Sequence, residues 1–334
     1  MPSTYAHYRM GQEVYKSLPA LARTTINNHK ELYDIGLHGP DILFYYQPLA
    51  VCAVNKQGYD MHEKSGLEFF KKAGKLFCEA DDDDKEALLA YIYGYCCHFA
   101  LDVSCHGYID EKIAMDGVSH TEIEVEFDRS LMFKDGYDPI THILTDHIKA
   151  NNANASYICR FYDYLTSGDI VKALEGMISY NKLLVAPSRL KRMFIYALLR
   201  VTGNYKEMHG LLVNYKANHL CSDSTKRLYE LYDVAKGLAI NLISEFRASA
   251  YGKIEYNKVY NYTFGSKLCE QYGLSEDKKE DKLEYKIENK IGASSDSNIK
   301  QNRNDDMVVY PDMGSYTKDS IKCDVKEGKL KYEY

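Results

Sequence analysis

Residues 85–109, KEALLAYIYGYCCHFALDVSCHGYI, constrain this chain more than any other stretch. The segment is apolar nearly all round, as expected of a helix buried in the middle of a fold. Yet it carries His98, Asp102 and His106 at intervals of four. Residues four apart on an α-helix lie on one face, so an imidazole, a carboxylate and a second imidazole share one stripe. A lone histidine on an apolar helix is most often a hydrogen-bonded core residue. Three such groups on one buried stripe need partners, because desolvated polar and charged groups without them are costly. Imidazole nitrogen and carboxylate oxygen are both good zinc donors, at about 2.0–2.2 Å. A rise of about 1.5 Å per residue sets His98 and His106 roughly 12 Å apart at the backbone. The three residues therefore point to two neighbouring ions, with Asp102 between them, bridging or taking one side.

The same helix is announced by Asp81, Asp82, Asp83 and Asp84. Carboxylates there cap free amides and oppose the positive end of the helix dipole. The run reads as a solvated cap and not as a calcium loop, because the Gly and terminal Glu of an EF-hand are missing.

Further donors flank the helix. In SHTEIEVEFDR, His120 and Glu124 lie one turn apart. They can complete the ion begun by His106 as a His2Glu set with open positions for water and substrate; an exposed helix pair is the competing reading. Asp41 follows a Gly-Pro turn in GPDILFYY, His62 is expected early in a helix in GYDMHEKSG, and His7 stands near the start. His29, His38, His142 and His147 are read as surface or supporting residues, with His38 in GLHGPD near the site.

In order, His7, Asp41, His62, H98-x3-D102-x3-H106 and H120-x3-E124 resemble the zinc-dependent phospholipase C domain over roughly residues 1–150. That superfamily includes secreted bacterial phospholipases C, fungal single-strand-specific nucleases and the glycosylphosphatidylinositol-specific phospholipase D of animals. The H-x3-D-x3-H spacing resembles the phospholipase D branch. The resemblance implies an all-α, multi-helical bundle around a cluster of zinc ions, two of them and a third. It assigns His62, His98 and Asp102 to one ion, with Asp41 close by, and His106, His120 and Glu124 to a second. The third takes His7, Asp102 as a bridge, and the amino group and carbonyl of the mature first residue. In secreted relatives that residue is tryptophan; this chain has none. If Met1 is removed, Pro2 lies five residues before His7 and its imino nitrogen becomes the candidate ligand. The choline pocket of the secreted enzymes has an aromatic directly after the Asp41 position, where this chain has Ile42, so a phosphatidylcholine preference is not supported.

The rest of the chain bears on organisation and compartment. Helical periodicity predicts helices near 9–17, 20–33, 58–79, 82–110, 118–134, 139–150, 152–166, 169–184, 188–202, 205–218 and 222–250, with little strand-like alternation. Residues 1–150 are expected to form the metal-binding core and 151–250 further helices packed on it or shaping a groove. Residues 275–334, rich in charge, Ser and Asn, are expected to form a disordered tail. Nine cysteines, an odd number without a CxxC pair, read as reduced thiols. The N-terminus has no apolar signal region and no stretch reaches membrane-spanning length. A protein of the cytoplasm, or one released from it by a non-classical route, is therefore expected, meeting any lipid from the aqueous side by peripheral contact.

The chemistry the resemblance implies for these donors is phosphodiester hydrolysis. Clustered zinc lowers the pKa of bound water toward about 7 and neutralises charge on the phosphoryl oxygens. By resemblance Asp41 is the candidate general base, ligation being an equally physical role for it. A phospholipid is the leading substrate. A nuclease or small phosphodiesterase with the same metal core is the alternative, although a net charge of −6 argues against a stable nucleic-acid partner. A noncatalytic zinc-binding interaction module, with coordinatively closed sites, is the third reading. Nothing in the sequence speaks to oligomeric state.

Overall fold

The computed structural model describes residues 4–269 and two short strand segments, 324–326 and 329–331. Among the described residues the protein is built of helices: α1 Thr4–Ser17, α2 Ala20–Asn28, α3 Lys30–Gly36, α4 Ala53–His62, α5 Gly66–Glu79, α6 Asp82–Asp116, α7 His120–Lys134, α8 Asn152–Ile158, α9 Ser167–Leu184, α10 Arg189–Val201, α11 Tyr205–Met208 and α12 Ser222–Ala250. Short 3-10 turns join several of them, the longest being Gly39–Tyr45. The strands Asp324–Lys326 and Lys329–Lys331 form an antiparallel pair. Otherwise the expected tail at 275–334 lies outside the described residues.

Helix α6 is the axis. Nearly every residue from Ala87 to Cys105 is buried, and α12, α3, α1, α2, α5 and α7 pack around it. Its most apolar 18-residue window is apolar enough to cross a membrane, yet it is wholly enclosed by protein. Burial on all sides explains why its apolar residues show no preferred face. The Asp run supplies no cap bond: Asp81 is the N-cap but makes no side-chain cap bond, while Asp82, Asp83 and Asp84 fill the first turn, Asp82 accepting from Lys85 and Asp84 from Arg160. The helix runs to Asp116, beyond the expected 110, and stops at Gly117, whose φ of 68° is a left-handed cap.

Several expected boundaries shift for local reasons. The single helix foreseen at 20–33 is broken at His29, which has φ −132° and ψ 46°. That at 58–79 begins at Ala53 and is split by Ser65, whose side chain accepts from the Leu67 amide and starts α5 afresh. His62 is consequently the last residue of α4 and not an early one. Residues 139–150 form turns where a helix was expected. There the Asp138 carboxylate accepts from the Ile140 amide and the Thr141 hydroxyl, a local arrangement that competes with helix. The helix at 152–166 ends at Ile158, and that at 205–218 shrinks to α11 and a 3-10 turn, His209–Leu211.

Candidate metal centre

Five elements deliver the donors. Helix α1 brings His7, the Gly39–Tyr45 turn brings Asp41, and the end of α4 brings His62. Helix α6 brings His98, Asp102 and His106, and α7 brings His120 and Glu124. Each is held by local chemistry. Ser119 and Glu122 cap one another at the start of α7, which fixes His120 as its first residue. Gly39 has φ of 48° and lies flat against the His98 ring, where any side chain would collide. That close approach lets the next residues carry Asp41 over α6.

The donors converge. His7 Nε2 is 3.2 Å from Asp102 Oδ1, and His98 Nε2 is 3.2 Å from Asp102 Oδ2. His62 Nε2 is 2.9 Å from Asp41 Oδ1 and 3.8 Å from Asp102 Oδ2. His106 and His120 place Nε2 at 3.4 and 3.0 Å from Glu124 Oε1. Three sets have donor atoms within 4.8 Å of one another: His7, Asp41 and His98; His62, His98 and Asp102; His106, His120 and Glu124. The last two sets have the same members that the resemblance implies. His7 stands with Asp41 and His98 while also touching Asp102. Pro2 lies outside the described residues.

Hydrogen bonding shows that these groups suit a cation. Both oxygens of Asp41, Nε2 of His98, Oδ2 of Asp102 and Oε2 of Glu124 are buried without a hydrogen-bond partner. Their short separations are thus approaches between atoms that do not point at each other. Donors aimed at shared points are what a metal ion needs, and buried polar atoms otherwise find partners. The outer nitrogens of two ligands agree, whereas those of His7 and His98 are buried without a partner. His62 Nδ1 lies 2.7 Å from the Gly58 carbonyl and His106 Nδ1 lies 3.0 Å from that of Phe264. A ring N–H donating outward leaves Nε2 free to bind metal. Zinc fits this donor set.

The electrostatics follow. Burial works to raise the Asp102 carboxyl, but His98, His106 and His7 outweigh it and hold it well below the usual range. Burial likewise opposes the charge on Glu124, yet His120 and His106 keep it ionised far below its ordinary value. Burial lowers the basicity of His106, but Asp102 and Glu124 more than reverse this, to about 9. His7 and His62 are raised in the same way by Asp102 and Asp41, against the effect of burial.

The centre opens into a pocket of about 280 Å³ whose lining includes Asp41, His62, Asp102, His106, His120 and Glu124. Phe44 and Tyr59 stack at 4.4 Å beside it, and Glu63, Asp110 and Lys267 complete its rim. A second, larger trough of about 500 Å³ is lined by apolar side chains, among them Val54, Met61, Phe69, Leu165 and Phe264, and by charged ones, among them Lys56, Asp60, Lys64, Glu68 and Asp163. Of the other histidines, His38 is buried with Nε2 2.7 Å from His147 Nε2, which stacks on Tyr8. His142 stacks on Tyr137, and His29 lies 3.7 Å from Glu86.

Two supports escaped the sequence reading. Asp128 accepts from the backbone amides of Tyr5 and Ala6 at 2.9 and 2.8 Å, so α7 caps α1 just before His7. It follows Glu124 by four residues, so its place on the His120–Glu124 stripe was visible in the spacing. The Phe264 carbonyl carried no such signal, since any residue type supplies one.

Comparison with curated proteins and with solved structures finds no match. Residues 6–178 match the family model described as zinc dependent phospholipase C. The match spans just over half of the chain and encloses all eight donors from His7 to Glu124, so the chain belongs to the zinc-dependent phospholipase C family.

Proposed function

We propose that the protein hydrolyses the phosphodiester of a phospholipid at this centre. Family membership gives a zinc hydrolase of the phospholipase C type. The observation that carries the reading further is the set of unpartnered buried donors at the floor of an open pocket. A structural zinc site would be closed, so the opening favours catalysis over a noncatalytic interaction module.

His62, His98 and Asp102 would hold one zinc ion, and His106, His120 and Glu124 a second. His7 with Asp41 and His98 forms a further set of donors. Bound zinc lowers the pKa of water and polarises phosphoryl oxygens. The chain's own residues then orient the diester and move protons. Lys267 on the rim offers a cation to a nonbridging oxygen, while Glu63 and Asp110 disfavour a second anionic group. Asp41, buried beside His62 and without a hydrogen-bond donor, is the carboxylate we assign to accept the proton of the attacking water. In the larger trough, Val54, Met61, Phe69, Leu165 and Phe264 offer apolar surface to an acyl chain, and Lys56, Lys64 and Lys72 on the same walls offer cations to its anionic end. Peripheral contact with a membrane follows from such a substrate. The eight unpaired cysteines among the described residues support a reducing compartment such as the cytoplasm.

Tyr59, exposed at the pocket rim, also offers a ring face for stacking a base, which is the observation favouring a nuclease. Asp41→Asn and His106→Ala are to be assayed on bis-p-nitrophenyl phosphate, together with zinc content. Both should lose turnover, and His106→Ala should also lose zinc. Unchanged turnover in both removes the mechanism. Parallel assays on phospholipid vesicles and single-stranded DNA separate lipid from nucleic acid, and product analysis assigns the bond cleaved.

A further inference from the structure

Helix α10 carries a surface that the metal centre does not use. Leu190, Met193, Phe194 and Val201 are 72, 64, 67 and 86% exposed, which is unusual for large apolar side chains. Their spacing puts them on one helical stripe. The opposite edge, Ile195 and Leu199, packs with Ala186 and Leu212 in a small core apart from the main one. The helix, RLKRMFIYALLRV, has no acidic residue in a chain of net charge −6; of its four cationic residues Arg192 is buried, leaving Arg189, Lys191 and Arg200 to flank the stripe.

We propose that this face of α10 docks the protein on an anionic lipid surface, lying in the plane of the headgroups. An exposed apolar stripe bordered by Lys and Arg is the pattern of interfacial helices, and the cations are drawn to an anionic leaflet. Charge decides between occupants. A second copy paired through the same face would set cation against cation, whereas anionic lipid complements it.

The placement connects docking to the centre. Arg192 donates to the Ala186 carbonyl at 2.7 Å and to that of Val213, fastening α10 to the segment that follows. There, Asn214 donates to Glu126 at 3.0 Å, and Arg129 donates to the Asn214 carbonyl at 3.3 Å. Glu126 and Arg129 belong to α7, the helix that begins with His120 and carries Glu124. Helix α10 is therefore tied, through residues 213 and 214, to the helix that carries two of the zinc donors.

The proposal rests on the phospholipid reading of the centre, and its test separates binding from turnover. The zinc-loaded full chain and its Met193→Glu/Phe194→Glu variant are sedimented with phosphatidylserine/phosphatidylcholine vesicles and with phosphatidylcholine vesicles alone. The parent should prefer the anionic vesicles, more weakly as salt rises. The variant should bind them at least about ten-fold more weakly, since two added anions oppose both insertion and the surface potential. Its melting temperature and its turnover of bis-p-nitrophenyl phosphate should stay unchanged. Equal binding by parent and variant, or no binding by the parent, overturns the proposal. A parent dimer that the variant loses assigns the face to a second copy and overturns it too. Binding without lipid hydrolysis supports the docking face and counts against the phospholipid substrate instead.

Discussion

Four imidazoles crowd Asp102, with Nε2 atoms of His7, His62, His98 and His106 between 3.2 and 3.9 Å from its oxygens. Without a cation, protons on the histidines must balance the buried carboxylates. His106 shows the consequence, raised to about 9 by Asp102 and Glu124 in spite of its burial. The sign follows from linkage: a folded pKa above the unfolded value of about 6.5 contributes stability that is complete below that value. That contribution is lost as pH rises through about 9. Zinc needs the neutral imidazole, so metal and proton compete. Zinc added to metal-free protein near neutral pH should therefore release protons, and the release should diminish above about 9. Calorimetry in buffers of different ionisation enthalpy measures this; zinc uptake without proton release contradicts the charge balance described here. At this scale the sequence was most legible where side chains do the work. The intervals of four put His98, Asp102 and His106 on one face before any coordinates. The carbonyls of Gly58 and Phe264, which orient His62 and His106, belong to the backbone and leave no trace in residue identity.

At the scale of elements, the centre depends on how closely α3 approaches α6. Gly94 faces the Tyr33 carbonyl and the backbone of Gly36 so tightly that a methyl built on it would overlap them. The contact seats α3, and the chain leaving α3 runs directly into Gly39 and Asp41. Gly94→Ala should thus cost about 1–3 kcal/mol of stability, as overpacking does. It should also lower zinc content by moving Asp41 off the His62 and His98 nitrogens. A thermal melt with metal analysis checks it, and an unchanged melting temperature would show that the two helices separate freely. The long helices were legible for different reasons: α12 in its helical periodicity, and α6 in its unbroken apolar run behind the Asp81–Asp84 cap. The breaks were not. Ser65 starts a new helix through one hydroxyl, Asp138 diverts the chain into turns, and His29 bends it with no proline or glycine at that position. Each competes with a helical pattern that continues around it.

At the scale of the whole molecule, the family match ends at residue 178 while the centre is closed from much further along the chain. After α12 the backbone turns through Lys258–Asn261 and returns to the donors. The Tyr260 carbonyl accepts from Ser65 Oγ, and the Tyr262 carbonyl accepts from the Gly66 amide. Ser266 Oγ donates to the Val103 carbonyl and accepts from the Gly107 amide, on either side of His106, whose ring N–H is received by the Phe264 carbonyl. Phe264 is buried against the His62 and His98 rings, and Lys267 reaches the pocket rim. A chain ending at Asn257 keeps every predicted ligand but loses this wall. It should bind less zinc, and the loss should fall mainly on the set of His106, His120 and Glu124, because outer partners of a ligating histidine contribute about 10–100-fold in affinity or activity. A chain ending at Cys269 keeps the wall and serves as the control. Metal titration of the two forms decides the matter: equal affinity would make the chain up to Asn257 self-sufficient, whereas a selective loss makes the returning segment part of the centre.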